Sequence, residues 1–418
     1  MHERDDALTV SAVSHESPPH PGRWLAVTVA LLAMLAPFSI DTYLPSFPDI
    51  SREFSASTVY LQQTLSFYLL AFAVMTLVYG PLSDSFGRRR VVLVALLVYV
   101  ASSIGCWLAP NAHWLLVMRV GQGLSASAGV VVGRAVIRDV FAGAQAQRVM
   151  ATMMLIFALA PAIAPIVGGW LHDAFGWRAV FLFLTLLGLA VWLWVAVRLP
   201  ETLPAVARQS IHPRAVAASY YGALRNGRFM ALVLLVALNF GGVFLYIASS
   251  PQIIYDHLHL GVDDFGVLFV PFVGGMMIGT FVSGRIAGRL THAQAIDIGY
   301  GVMLLAAVTN FLVTLVLPVS LWTAIAPGVL YAAGMALAMP NLTLLGLDLY
   351  PGHRGMASAV QSFTQTGSNA LVAGLLSPFV AGNMTTITGA MLALCIVSFL
   401  LWRFASRHHW LPPSAVQA

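Results

Sequence analysis

Gly80-Pro81-Leu82-Ser83-Asp84-Ser85-Phe86-Gly87-Arg88-Arg89-Arg90 joins two long apolar runs, near 59–81 and 91–109. Its glycines permit a tight turn and close helix approach. Asp84 can face a neighbouring helix N-terminus, and the arginines can meet acids or helix C-termini. Taken alone, a short basic loop between spans reads simply as an orientation signal. Outward from it, apolar runs bounded by charge, Gly or Pro lie near 24–45, 114–133, 149–171 and 179–198. After a polar stretch they resume near 229–251, 265–284, 296–317, 321–345, 356–380 and 386–403. A membrane helix needs ~20 apolar residues, so twelve take roughly 240. The remainder of the 418 residues is enough only for tails and short loops. The expected fold is an all-α polytopic membrane protein, twelve transmembrane helices in two six-helix bundles.

Composition agrees. Hydrophobic residues make up 59% of the chain and charged residues only 9%, against about 25% charged in soluble domains. The net charge of +5 belongs to the loops of a membrane protein. No arginine cluster with interleaved aromatics sits on a polar helix, so nucleic acid is not an expected partner. Cys106 and Cys395 lie inside apolar runs and read as isolated core thiols. The histidines fall in tails and loops, and no metal site is expected. With no lysine there is no phosphate-binding Gly-x-x-x-x-Gly-Lys loop, which excludes ATP hydrolysis by this chain.

The pattern divides the chain into an N-terminal tail (1–23), a first bundle (24–198), a linker (199–228), a second bundle (229–405) and a C-terminal tail (406–418). The first residues lack the basic region and cleavage site of a signal peptide, so the first apolar run is a retained span. With the N-terminus inside, eighteen of the 21 basic residues, all arginines, fall in cytoplasmic segments. Two, Arg52 and Arg178, fall outside, and Arg119 lies within a span. The positive-inside rule then places both termini in the cytoplasm. Two bundles around a basic linker point to a secondary transporter with its site between them. A sensor would need a signalling domain, and an enzyme would leave ionisable clusters near one membrane face.

The spacing Gly-x-Leu-x-Asp-x-x-Gly-Arg-Arg of the opening stretch resembles the loop motif of the major facilitator superfamily. Arg119-Val120-Gly121-Gln122-Gly123 is similar to that superfamily's Arg-x-x-Gln-Gly element. In the fifth span Pro161, Pro165, Gly168 and Gly169 follow the Gly-x-x-x-Gly-Pro-x-x-Gly-Gly element of drug/proton antiporters, with Ala160 and Ala164 in place of its leading glycines. Ile40-Asp41-Thr42-Tyr43-Leu44-Pro45 with Pro48, and Arg134-Ala135-Val136-Ile137-Arg138-Asp139, look like the bicyclomycin/chloramphenicol-resistance branch. The resemblance implies gating or conformational roles for Gly80, Asp84, Gly87, Arg88, Arg89, Arg138, Pro161, Pro165, Gly168 and Gly169, and a cavity lined by spans 1, 4, 7 and 10. The second half echoes the loop only in part, with Gly288 where the first half has Asp84, so asymmetric gating contacts are expected.

Asp41 is the single acid inside a span, and a carboxylate there usually faces a cavity and serves function. Asp41 and Arg119 each lie roughly 6–8 Å inside the outer edge by helical rise. Equal depth allows a pair without requiring one. Two readings stand: a static buried ion pair fixing helix register, or Asp41 as a proton-coupling carboxylate beside Arg119. Candidates for the substrate cavity are Phe38, Tyr43, Gln122, Asn239, Tyr246 and Tyr331. Gln361, Gln365 and Asn369 share one face of the eleventh span, where interhelical hydrogen bonding is the plainer role. The expectation is a monomeric exporter in the bacterial inner membrane, driven by the proton gradient without a cofactor. It would move small drug-like molecules by alternating access; an endogenous amino acid derivative or sugar is the alternative cargo.

Overall fold

The computed structural model describes residues 23–208, 213–408 and 410–412. The expected N-terminal tail and most of the C-terminal one lie outside the described residues. Arg23–Asp41 (α1) carries the chain across once. It ends in a 3-10 turn, Leu44–Ser46, and a short helix, Phe47–Phe54 (α2), that caps the bundle. Thr58–Phe86 (α3), Arg88–Trp107 (α4), Ala112–Val140 (α5), Gly143–Phe175 (α6) and Trp177–Arg198 (α7) complete the first bundle. The linker contains Pro213–Arg225 (α8). Gly227–Ala248 (α9), Ser250–Gln252 (α10), Phe265–Ile286 (α11), His292–Val316 (α12), Leu321–Asp348 (α13), Arg354–Leu371 (α14), Ser377–Val380 (α15) and Met384–Arg407 (α16) form the second. No strand occurs among the described residues.

The helices begin where the sequence supplies caps. Ser57, Asn111 and Asn226 each accept a backbone N–H from the first turn they precede, and Thr291 with Gln294 forms a capping box. Gly87, at φ +91°, ends α3 and starts α4 in a conformation an L side chain resists.

Within the first bundle α5 packs on α1, α3 and α4, and α7 on α4; within the second, α13 packs on α9, α11 and α12. Packing is close where small residues allow it: a Cβ on Gly123 would meet the Tyr68 backbone, and one on Gly275 the Val329 carbonyl. The bundles meet along α3 with α14 and along α6 with α11.

Eleven helices among the described residues are long and apolar enough to cross a membrane. The expected eleventh span, 356–380, differs. Gln361, Thr364, Gln365, Ser368 and Asn369 lower its hydropathy, and Val372–Leu376 winds as a π-helix between α14 and α15. It completes the twelve helical passes, but its inner face is polar because it packs on protein.

Candidate functional site

Arg119 sits on α5 with no exposed surface. One guanidinium nitrogen, Nη1, donates to the Ser39 carbonyl at 2.9 Å and to Gln122 Oε1 at 2.8 Å. The guanidinium carbon lies 4.4 Å from the Tyr68 ring centre and 4.9 Å from that of Tyr43. Nε and Nη2 find no hydrogen-bond partner; the two aromatic faces are what they meet, a favourable place for a desolvated cation. The surrounding polar groups are ordered in turn. Gln122 Nε2 donates to Ser103 Oγ at 2.7 Å, Tyr43 and Thr64 hydroxyls lie 2.9 Å apart, and Ser39 and Tyr99 hydroxyls 2.6 Å apart.

Asp41 closes α1 at the same level and is 4% exposed. Its carboxylate has no hydrogen bond and no ion pair among the described residues. Arg119 therefore is not its salt-bridge partner here. Tyr68 lies within electrostatic reach of both. An acid and an arginine on neighbouring helices thus share one buried layer without touching.

The other cavity candidates are placed variously. Phe38 is half-buried and packs on Phe183, 6.3 Å between ring centres. Asn239 is buried, donating to the Met335 carbonyl at 3.2 Å, and Tyr246 to the Ala324 carbonyl at 2.9 Å. Tyr331 is buried with its hydroxyl unpaired. The structure joins Tyr43 and Gln122 to the Arg119 layer; Asn239, Tyr246 and Tyr331 bind the second bundle together.

At the arginine-rich end the loop motif forms a charge network. Asp84 Oδ1 meets Arg88 Nη1 at 2.5 Å, and Arg88 Nε reaches Asp139 Oδ2 at 3.0 Å. Arg88 Nη1 also donates to Ser83 Oγ. The Arg88 backbone N–H donates to Glu201 Oε1 at 2.8 Å, tying the start of the linker to the start of α4. Arg89 donates to the Ala196 carbonyl at 2.6 Å. Gly80 has open space beside it, and Arg138 approaches Gly355 at the start of α14 without an ion pair among the described residues. The second half has no matching network: Arg285 lies over the Phe281 ring, and neither it nor Arg289 is in an ion pair among the described residues.

The opposite end holds a seam that sequence reading missed. Gln62 Nε2 donates to Ser377 Oγ at 3.0 Å, which lies 2.9 Å from Ser249 Oγ. Gln63 Nε2 donates to the Gly374 carbonyl and Ser66 Oγ to the Ala370 carbonyl, each at 2.7 Å. Tyr255 donates to the Pro45 carbonyl at 2.8 Å. In α6, Pro161 and Pro165 precede Gly168 and Gly169, whose bare Cα atoms face the Thr42 and Val262 carbonyls. His172 lies 3.0 Å from Ser46 and 2.8 Å from Asp49. The adjacent glutamines in an apolar run were the available signal. The bonds from Gln62, Gln63, Ser66 and Tyr255, with the approach of Gly169 to Val262, hold the two bundles together at this end. His172 and Gly168 instead tie α6 to the end of α1 and to α2 within the first bundle.

A pair of helix bundles with a buried layer of Asp41 and Arg119 inside the first and a polar seal between them at one end defines a multi-pass membrane transporter, not an enzyme. The sequence profile of the Major Facilitator Superfamily matches residues 29–373, and the chain belongs to that family. It is 32% identical over 367 residues to an uncharacterized MFS-type transporter, YdgK, of Bacillus subtilis, covering 87% of this chain and 89% of that one. It is 26% identical to a bicyclomycin resistance protein homolog of Haemophilus influenzae, covering 90% and 95%. Among solved structures it superposes on a D-xylose-proton symporter with TM-score 0.72 at 15% identity, covering 91% and 97%; that likeness speaks for the fold.

Proposed function

We propose that this chain exports small drug-like molecules across the bacterial inner membrane in exchange for protons, with Asp41 as the proton-carrying group. The observation that carries the reading is the Asp41 carboxylate, buried at the end of α1 without a hydrogen-bond or ion-pair partner. A charge left there alone loses its water and gains no counter-ion. The proton is therefore held in this conformation and leaves when cargo enters or the bundles rock apart. Arg119, fixed by Ser39 and Gln122 on the next helix, supplies the positive field that favours ionisation as Asp41 approaches it. The names of the resistance-associated relatives support drug-like cargo.

The arginine-rich end faces the cytoplasm in this reading, and both termini with it. The seal at the opposite end then closes the outer mouth. Cargo enters from the cytoplasm or inner leaflet, displaces the proton inward and leaves outside, where a new proton is taken up. The working unit is a single chain.

The test is growth of a host lacking its main efflux pumps on bicyclomycin, phenicols and cationic dyes. Wild type is expected to confer resistance to some of these, and Asp41→Asn, at equal expression, to lose it. Undiminished resistance in Asp41→Asn would leave Asp41 structural and overturn the assignment.

A further inference from the structure

The linker helix α8 is apolar on two faces. On one, Tyr220 donates to the Leu77 carbonyl of α3 at 2.9 Å, and Ala223 is buried with Phe229 of α9 and Ala357 of α14. That face is spent on protein and touches both bundles. On the other, Tyr221 is 56% exposed and Leu224 48%, with exposed Ala217 and Ala218 beside them. Arg214 and Arg225 flank this patch, both exposed. Arg225 is held there over the Tyr221 ring at 4.7 Å. Arg228 follows at the start of α9. None of the three arginines has an ion-pair partner among the described residues, and no acid occurs anywhere between 202 and 255.

The depth of the helix follows from its anchor. Leu77 lies nineteen residues along α3 from Thr58, roughly 28 Å at helical rise. A hydrocarbon core is about 30 Å thick. The Tyr220 contact therefore sits at the boundary between acyl chains and headgroups. An outward face of Tyr, Leu and Ala rimmed by unpaired arginines at that depth is the pattern of an interfacial helix meeting negative charge.

We propose that the outward face of α8 binds the headgroups of anionic phospholipids, with Arg214 and Arg225 as the phosphate-binding groups and Tyr221 and Leu224 set into the acyl boundary. Because the same helix holds Leu77 on one bundle and Phe229 on the other, lipid bound there braces the joint between them.

The experiment is thermal unfolding of the full chain in neutral detergent, titrated with phosphatidylglycerol or phosphatidylcholine. Phosphatidylglycerol is expected to raise the midpoint at concentrations where phosphatidylcholine does not. The double variant R214Q/R225Q should need roughly twenty-five-fold more phosphatidylglycerol for half the rise, about fivefold per arginine. R214K/R225K should stay close to wild type. If the double variant does not fold, each single glutamine variant is read for its fivefold change. A glutamine variant that titrates like wild type overturns the proposal, as does an equal response to phosphatidylcholine. A rise reproduced by inorganic phosphate at matched concentration would make the site one for free anions. A midpoint that tracks protein concentration would give the face to a second copy of the chain. Either result also overturns the lipid assignment.

Discussion

Arg119 is a cation with no exposed surface and no carboxylate, held by one carbonyl, one glutamine and two tyrosine rings. Its flat guanidinium suits a place against two rings and an ammonium does not. Arg119→Lys is expected to lose about 1–3 kcal/mol of stability, read from denaturant unfolding, because buried acceptors lose their donors. Gly168 is decided by space, since a side chain there would strike the Thr42 carbonyl beside Asp41. Gly168→Val should cost about 1–3 kcal/mol through overpacking and lower the unfolding midpoint, whereas a valine at Gly80, where nothing lies near, should leave it unchanged. At this scale the sequence was informative about which residues were unusual. Asp41 and Arg119 stood out because charge inside a span is rare. Whether they touch depends on side-chain geometry; of the two rings that take up Arg119, Tyr43 stood out beside Asp41 while Tyr68 had no signature apart from ordinary aromatic content.

Among elements, the second bundle's passage from α14 through the π-turn to α15 was the least legible. Its hydropathy is low because its polar side chains face the protein, and a π-turn depends on register that hydropathy does not carry. The turn presents the Gly374 carbonyl to Gln63 on α3. With the Ser66 bond to Ala370, this makes a latch across the bundle interface. Interhelical hydrogen bonds in membranes average about 0.6 kcal/mol. Losing both should shift the balance of sealed and open outer ends roughly sevenfold, at 1.4 kcal/mol per decade. Gln63→Leu combined with Ser66→Ala is thus expected to lengthen the spin-label distance between positions 59 and 382, exposed residues at that end. An unchanged distance distribution would remove the latch. The loop motif was far more readable, because Asp84, Arg88 and Asp139 are charged residues in an apolar chain. Glu201, joined to the Arg88 backbone from 113 positions away, was not.

Over the whole molecule, the distribution of arginine carries the topology. At the seam end Arg52 is paired with Asp49 and Arg178 with Glu53, so the few cations there are neutralised locally. At the other end Arg214, Arg225, Arg285 and Arg289 have no ion pair among the described residues. The positive-inside rule reads the number of arginines at each end rather than their pairing, and by number too the seam end is the poorer. A cysteine at position 206, which is 97% exposed in the linker, should react with an impermeant maleimide only after the cells are opened. One at position 382 should react in intact cells, and the reverse pattern would invert the proposed orientation.

The energetics of the proposed exchange are modest and sufficient. One proton moving inward gains ~2.3 kcal/mol per 100 mV, enough for roughly a fifty-fold gradient of a neutral cargo. Asp41 is what ties that energy to the cargo in this account. The direct measurement is uptake of labelled chloramphenicol into proteoliposomes with an acidic interior, compared with exchange of the same compound at equal pH. Wild type should accumulate the drug against its gradient, and Asp41→Asn should still exchange it but no longer accumulate it. Accumulation by Asp41→Asn equal to wild type would contradict the assignment and place the proton elsewhere.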